Sequence, residues 1–300
     1  MQTFRVCYAG REHYRLHSAG DAISARLSGA FRYNNLAFPV VGDFVEVEGG
    51  LIRSVLPRTS KFSRLRGKQE QVLAANIDVA FVVCGLDGDY NPRRIERYLV
   101  LIRESGARGV VVLNKCDLRP PPDVSFGVPV IATSTRTPGG IDTLAASIEP
   151  RWTYVLLGSS GAGKSSILNL LVGEDLQRTK AVREHDSRGR HTTTHRELIE
   201  LPSGAFLIDT PGLREIQLWA GEESVEDTFE DIAAHATACR FRDCGHNGEP
   251  GCAVAIALQS GELDESRWRS YGKLTSEVRQ LDKKALKKLH KDRHQYKQTW

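Results

Sequence analysis

Gly158-Ser159-Ser160-Gly161-Ala162-Gly163-Lys164-Ser165 satisfies G-x-x-x-x-G-K-S at every fixed position. The apolar run 152–157 precedes it and a helical pattern, 164–171, follows, which is the strand–loop–helix context this motif needs. The glycines let the backbone close around phosphate oxygens, with successive N–H groups pointing inward. The following helix offers its positive end to the same oxygens. Lys164 suits the β and γ phosphates and Ser165 suits Mg²⁺.

Asn114-Lys115-Cys116-Asp117 lies upstream of this loop, at the end of the apolar run 109–113. Alone, the tetrapeptide would read as a polar helix N-cap. Beside a phosphate loop it reads as a guanine reader. The Asp117 carboxylate can accept from guanine N1–H and N2–H₂, a donor pair that adenine lacks, which argues against an ATP-using kinase or transporter domain. The Lys115 stem can lie along the base, and Asn114 can tie neighbouring loops. After the next apolar run, 128–132, the stretch around Ser134 can present a backbone N–H to guanine O6. Asp209-Thr210-Pro211-Gly212 fits D-x-x-G, with Asp209 reaching Mg²⁺ through water and Gly212 approaching the γ-phosphate. Between them, Arg188-Gly189-Arg190-His191-Thr192-Thr193-Thr194 has the place of a first switch, with Thr193 expected on Mg²⁺. Leu213 stands where Ras-type enzymes carry a water-orienting glutamine, so basal hydrolysis is expected to be slow, with His191 as the candidate substitute. The base reader precedes the phosphate loop, the reverse of the ordinary order. The chain therefore reads as a circular permutation, which chain ends lying close together permit.

The chain has 300 residues, enough for about two or three domains, and its 40% hydrophobic content supports packed cores. Runs of strand and helix that are apolar throughout point to a largely parallel, doubly covered sheet over 77–218. Residues 1–60 alternate short apolar runs with turns and read as a small β-barrel of the OB type, a fold that commonly binds oligonucleotides. The segment 58–66 holds Arg58, Lys61, Arg64 and Arg66 with no acid, and reads as a basic linker. No run is long enough to span a membrane, and residues 1–16 lack the apolar block of a signal peptide. A cytoplasmic location with reduced thiols is expected.

Six cysteines are present. Cys7, Cys84 and Cys116 sit among apolar neighbours and read as core residues. Cys239, Cys244, His246 and Cys252 instead supply three thiolates and an imidazole in a short span, a set suited to one tetrahedral Zn²⁺. With four ligands the site would be structural. Disulfides are the alternative, disfavoured by the location and the matched histidine. Beyond the cluster, 279–297 carries eight Lys/Arg against Asp282 and Asp292. Lys283, Lys284, Lys287, Lys288 and Lys291 recur at helical spacing, a stripe that can lie against phosphates or simply be solvated.

The motif order, the GRHTTTHREL switch, DTPGL and the Cys-x₄-Cys-x-His-x₅-Cys knuckle together resemble the RsgA (YjeQ) family of bacterial ribosome-associated GTPases. The resemblance spans nearly the whole chain, including GDFVEVE and LPRTSKFSR. It implies an α/β chain with an OB-type barrel and basic linker over 1–66, a circularly permuted GTPase domain over 67–221 and a helical zinc-binding domain over 222–300. It further implies phosphate binding over 158–166, Ser166 included, and GTP hydrolysis stimulated by the small ribosomal subunit, coupled to release of an assembly factor. Its implied partners are that subunit, its rRNA and other assembly factors, with the chain a monomer. The other reading of the same features is an RNA-binding assembly module that holds GTP only as a structural ligand.

Overall fold

The computed structural model describes residues 1–10, 13–18, 21–34, 38–66, 69–173, 196–209 and 221–297. They group into two compact units, Met1–Asn91 with Ser105–Gln217, and Pro92–Glu104 with Leu218–Trp300. The barrel and the largely parallel sheet thus belong together. The helix α2 (Pro92–Ser105), which interrupts that sheet in sequence, groups with the C-terminal helices.

The barrel is built from β1 (Gln2–Ala9), β2 (Tyr14–Ser18), β3 (Asp21–Leu27), β4 (Phe44–Glu48) and β5 (Leu51–Val55), with the short helix α1 (Gly29–Asn34) between β3 and β4. The strands run in the order β1-β2-β3-β5-β4 and close because β1 also pairs with β4. Only β3–β5 is parallel. Closure removes free edges, and Val6, Leu16, Ala25, Val45 and Ile52 fill the interior. The stretch read as a basic linker holds a strand: β6 (Lys61–Arg66) pairs antiparallel with β7 (Gln69–Ala75). Phe62 is buried while Lys61 and Arg64 point outward, so alternation of charge and apolar bulk, invisible in a count of charges, is what the segment encodes.

The second sheet segment follows with β8 (Val79–Gly85), β9 (Arg108–Asn114), β10 (Val130–Ala132), β11 (Thr153–Leu157), β12 (Glu197–Glu200) and β13 (Phe206–Asp209). Its order is β10-β9-β8-β11-β13-β12, parallel except for β12. Every residue of β8 is buried, as a central parallel strand requires. Phe81 stacks on Tyr154 at 5.2 Å, and Leu144 of the short helix α3 (Asp142–Ala146) and Ile167, Leu168 and Val172 of helix α4 (Lys164–Val172) join the same core.

In the other unit, helices Glu222–Thr228, Glu230–Thr237, Ala253–Ser260 and Glu265–Lys297 follow one another. Val225, Phe229, Ile232, Val254, Leu274 and Val278 are buried. Helix α2 is tied to them by Arg267, whose guanidinium pairs with Glu96 at 2.9 Å and Asp231 at 2.6 Å and lies over the Phe229 ring.

A buried ion pair pins the approach to β4. Asp43 is fully buried, takes both Arg58 Nε and a terminal nitrogen at 2.7 Å, and accepts from Val40 N–H at 2.8 Å. Truncation of one partner strands the other charge in the interior. Asp43→Ala should lower stability by about 3 kcal/mol, read as the shift in a denaturant unfolding midpoint.

Candidate nucleotide site and metal centre

Strands β10, β9, β8, β11 and β13 are parallel, so their carboxyl ends share one edge, where open α/β sheets bind ligands. The register shows how closely they align: Gly85 stands opposite Asn114, Leu157 opposite Val82, Ala132 opposite Leu113, and Ile208 opposite Val155. Asn114–Asp117, Thr133–Ser134, the loop 158–165 and the end of β13 therefore all emerge at that edge.

Asn114 joins two of these segments. It is fully buried, donates from Nδ2 to Ala162 O at 2.9 Å, and accepts from Thr133 Oγ1 at 3.3 Å. Two glycines make this approach possible. Gly163 has φ 99°, and a Cβ there would stand 2.0 Å from Asn114 Nδ2. Gly158 has φ 130°, and a Cβ there would stand 2.1 Å from Val83 O. Ala162 is buried, whereas Ser160, Gly161, Ser165 and Ser166 face outward, the last two in the first turn of α4. N–H groups in a first turn have no intrahelical acceptor and are free for a ligand. Lys164 is buried, and its ammonium donates to Gly158 O at 2.8 Å and to Ser159 O, so its charge sits inside the loop's curl.

At the base-reading end, Asp117 is exposed and accepts from Ser134 Oγ at 2.6 Å. Cys116 N–H donates to Thr133 O at 3.1 Å, which locks the two turns together. The N–H groups of Thr133 and Ser134 are already engaged, with Leu113 O and Gly140 O, both at 2.8 Å. What Ser134 offers the site is thus its hydroxyl, which orients the Asp117 carboxylate. Lys115 holds a left-handed φ of 66°. Its ammonium pairs with Asp87, and Ser159 Oγ donates to Asp89. Sequence reading passed over both acids. Their only signal there is a D-G turn, and their partners lie far along the chain.

Asp209 ends β13, its backbone paired with Glu197. His191, Thr193 and Gly212 lie outside the described residues.

The cluster at 239–252 stands in the other unit. The ligand atoms of Cys239, Cys244, His246 and Cys252 all lie within 4.8 Å of one another. His246 Nδ1 is 3.5 Å from both Cys239 Sγ and Cys252 Sγ, and those sulfurs are 4.0 Å apart. Tetrahedral Zn–S of about 2.3 Å and Zn–N of about 2.0 Å require S···N near ~3.5 Å and S···S near ~3.8 Å, so the donor set fits. None of the cysteines is in a disulfide. The loop is shaped for the purpose: Glu249 accepts from Gly245 N–H and Asn247 N–H, and His246 takes φ 59°. Trp268 meets the His246 ring edge-on at 5.9 Å.

With both sites in view, comparison with known proteins decides the family. The RsgA GTPase family model matches residues 55–219. The chain belongs to the RsgA GTPase family. A small ribosomal subunit biogenesis GTPase RsgA from Syntrophotalea carbinolica is 44% identical, covering 91% of this chain and 82% of that protein. One from Xylella fastidiosa is 49% identical, covering 80% and 73%. Among solved structures, YloQ, described as a circularly permuted GTPase, has a TM-score of 0.68 at 28% identity, covering 93% of this chain and 96% of that one. YjeQ from Thermotoga maritima has a TM-score of 0.71 at 27% identity, covering 92% and 98%. Membership of the RsgA family makes this chain a circularly permuted GTPase.

Gly163 is the sharpest test of the geometry. Gly163→Ala would force a Cβ into Asn114 at a left-handed φ. It should weaken GDP binding by about tenfold or more, a cost of ~1.4 kcal/mol or above, measured by titration with a fluorescent GDP.

Proposed function

We propose that this GTPase acts in maturation of the small ribosomal subunit, binding GTP across the carboxyl edge of β9, β8 and β11. The observation that supports the site is the Asn114–Ala162 hydrogen bond, which fixes the spacing between the turn at 114–117 and the loop at 158–165. On this reading Asp117 accepts from the guanine edge, and the 158–166 backbone and helix α4 hold the phosphates. Lys164 turns from the loop carbonyls to the β and γ oxygens. Ser165, Thr193 and, through water, Asp209 serve Mg²⁺, and Gly212 N–H meets the γ-phosphate. Loss of that phosphate releases both switches, and the second leads straight into 222–300. His191 orients the attacking water, Leu213 being unable to. We take 1–66, 67–221 and 222–300 as the functional divisions.

The subunit and its rRNA are the proposed partners, with hydrolysis stimulated by the subunit and tied to release of an assembly factor. The names of the relatives and the basic run at 279–297 support this. A monomeric, cytoplasmic protein fits that role. Among the described residues no helix is long and apolar enough to cross a membrane. GTP turnover with and without purified small subunits, at two salt concentrations, tests the proposal. Stimulation of at least about tenfold is expected, weakening as salt rises. Equal turnover in both conditions would instead leave GTP as a structural ligand.

Cys239, Cys244, His246 and Cys252 would hold one structural Zn²⁺. Metal analysis of purified protein should give one zinc per chain. Removal by a chelator should lower the unfolding temperature of the C-terminal unit while GDP affinity stays within about twofold of the untreated protein.

A further inference from the structure

We propose that the turn Asp87-Gly88-Asp89 is a positioning element of the nucleotide site, with Asp87 holding the lysine of the base reader and Asp89 holding a hydroxyl of the phosphate loop. The inference rests on the reading of 114–117 as the guanine reader. The turn lies at the end of β8 and matches none of the motifs read from the sequence.

Several contacts converge on it. Lys115 Nζ pairs with Asp87 Oδ2 at 2.5 Å. The Lys115 stem passes over Gly85, where a Cβ would stand 3.3 Å from its Cδ and Cε and 2.8 Å from Asp87 Oδ1. That passage is open only because residue 85 lacks a side chain. The left-handed φ of Lys115 is unfavourable for a residue with a Cβ and needs outside support. Asp87 Oδ1 also accepts from Asp89 N–H at 3.1 Å, which fixes the turn itself. The hydrogen bond from Lys115 keeps the Asp87 carboxyl below the usual carboxylate range. Asp89 accepts from Ser159 Oγ through its carboxylate and from Cys84 Sγ, at 3.6 Å, through its carbonyl.

The consequence is for ligand affinity more than for folding. The Lys115 and Asp87 side chains are 26% and 35% exposed, so the pair is screened and adds little to stability. A free lysine, however, loses about 2 kcal/mol of rotamer entropy when its stem is laid on a base. An ammonium anchored beforehand has already lost part of that freedom.

The test uses the full chain and its Kd for fluorescent GDP. Asp87→Asn keeps an acceptor for Asp89 N–H and removes the charge that holds Lys115. It should weaken GDP by about fivefold, the scale of one ion pair. Lys115→Ala should weaken it at least as much, and the double variant no further, because Asp87 acts through Lys115. Asp87→Glu should restore most of the affinity. Nucleotide-free melting temperatures should agree within about 2 °C. A wild-type Kd for Asp87→Asn, or losses that multiply in the double variant, overturns the proposal. Asp117→Ala separates the two readings. If it destroys GDP binding while Asp87→Asn changes nothing, only the positioning role is lost. If it binds GDP as the wild type does, the guanine reader itself is misassigned.

Discussion

One buried amide sets the geometry of the candidate nucleotide site. Asn114 has no solvent-exposed surface, and its two polar ends are committed to Ala162 O in the phosphate loop and to the Thr133 hydroxyl. Asn114 and Ala162 are 48 positions apart. Closing a loop of that length costs roughly 3 kcal/mol in chain entropy, whereas a hydrogen bond returns only about 1 kcal/mol net. Asn114 therefore does not bring the two halves together. The parallel pairing of β9, β8 and β11, with its buried apolar faces, does that. The amide then selects one spacing between the turns out of the several the sheet would allow. A misfit there is expensive, because an unsatisfied buried amide loses more than a formed one gains. This is why Gly163 must be a glycine: the atom a Cβ would meet is the Asn114 amide nitrogen, whose buried hydrogen bonds leave it no room to move aside.

The same asymmetry explains what could be read from the sequence. Strands β8, β9, β11 and β13 are buried on both faces, so they appear as unbroken apolar runs, and the motifs follow directly from their ends. β1 and β2 are harder to read, because Arg5, on the face opposite the inward Phe4 and Val6, is itself buried where alternation calls for an exposed residue. It is accommodated between the Phe44 and Phe206 rings and by hydrogen bonds to Asn76 O and Thr153 Oγ1. Those partners come from four other segments, and no local window contains them. β6 was hidden for a related reason: its cations occupy the outward face of a hairpin whose inward face is carried by Phe62. Asp87 and Asp89 were invisible because a D-G turn is common and its meaning here comes from Lys115 and Ser159, 28 and 70 residues away.

Arg5 also shows how the barrel is joined to the nucleotide-binding sheet. The strand pairing between them is slight, a single register pair of Tyr8 with Glu197. The Arg15–Glu197 ion pair beside it is substantially exposed and so contributes little. Arg5 reaches instead to Thr153, the first residue of β11, whose N–H donates to Asp78 at the foot of β8. Asn76 adds a second tie, donating to Gly42 O on the barrel side and accepting from Thr59 N–H. The junction is thus made of buried polar contacts, which fix orientation because each has few alternatives. An apolar interface of similar area would tolerate sliding.

The metal-ligand loop follows a different logic. Between Ala238 and Gly251 the chain has few large apolar side chains, and Phe241 is exposed. Burial cannot hold such a segment at about 25 cal/mol per Å², because there is little apolar area to bury. Four ligands converging on one ion can, since metal binding supplies on the order of 10 kcal/mol to a short loop. The protein adds only what orients the donors: Glu249 across the turn, Ala255 N–H on the Cys252 sulfur, and Trp268 against the imidazole edge. Because Trp268 lies at the end of the first turn of the long helix Glu265–Lys297, the orientation of the His246 imidazole is tied to that helix.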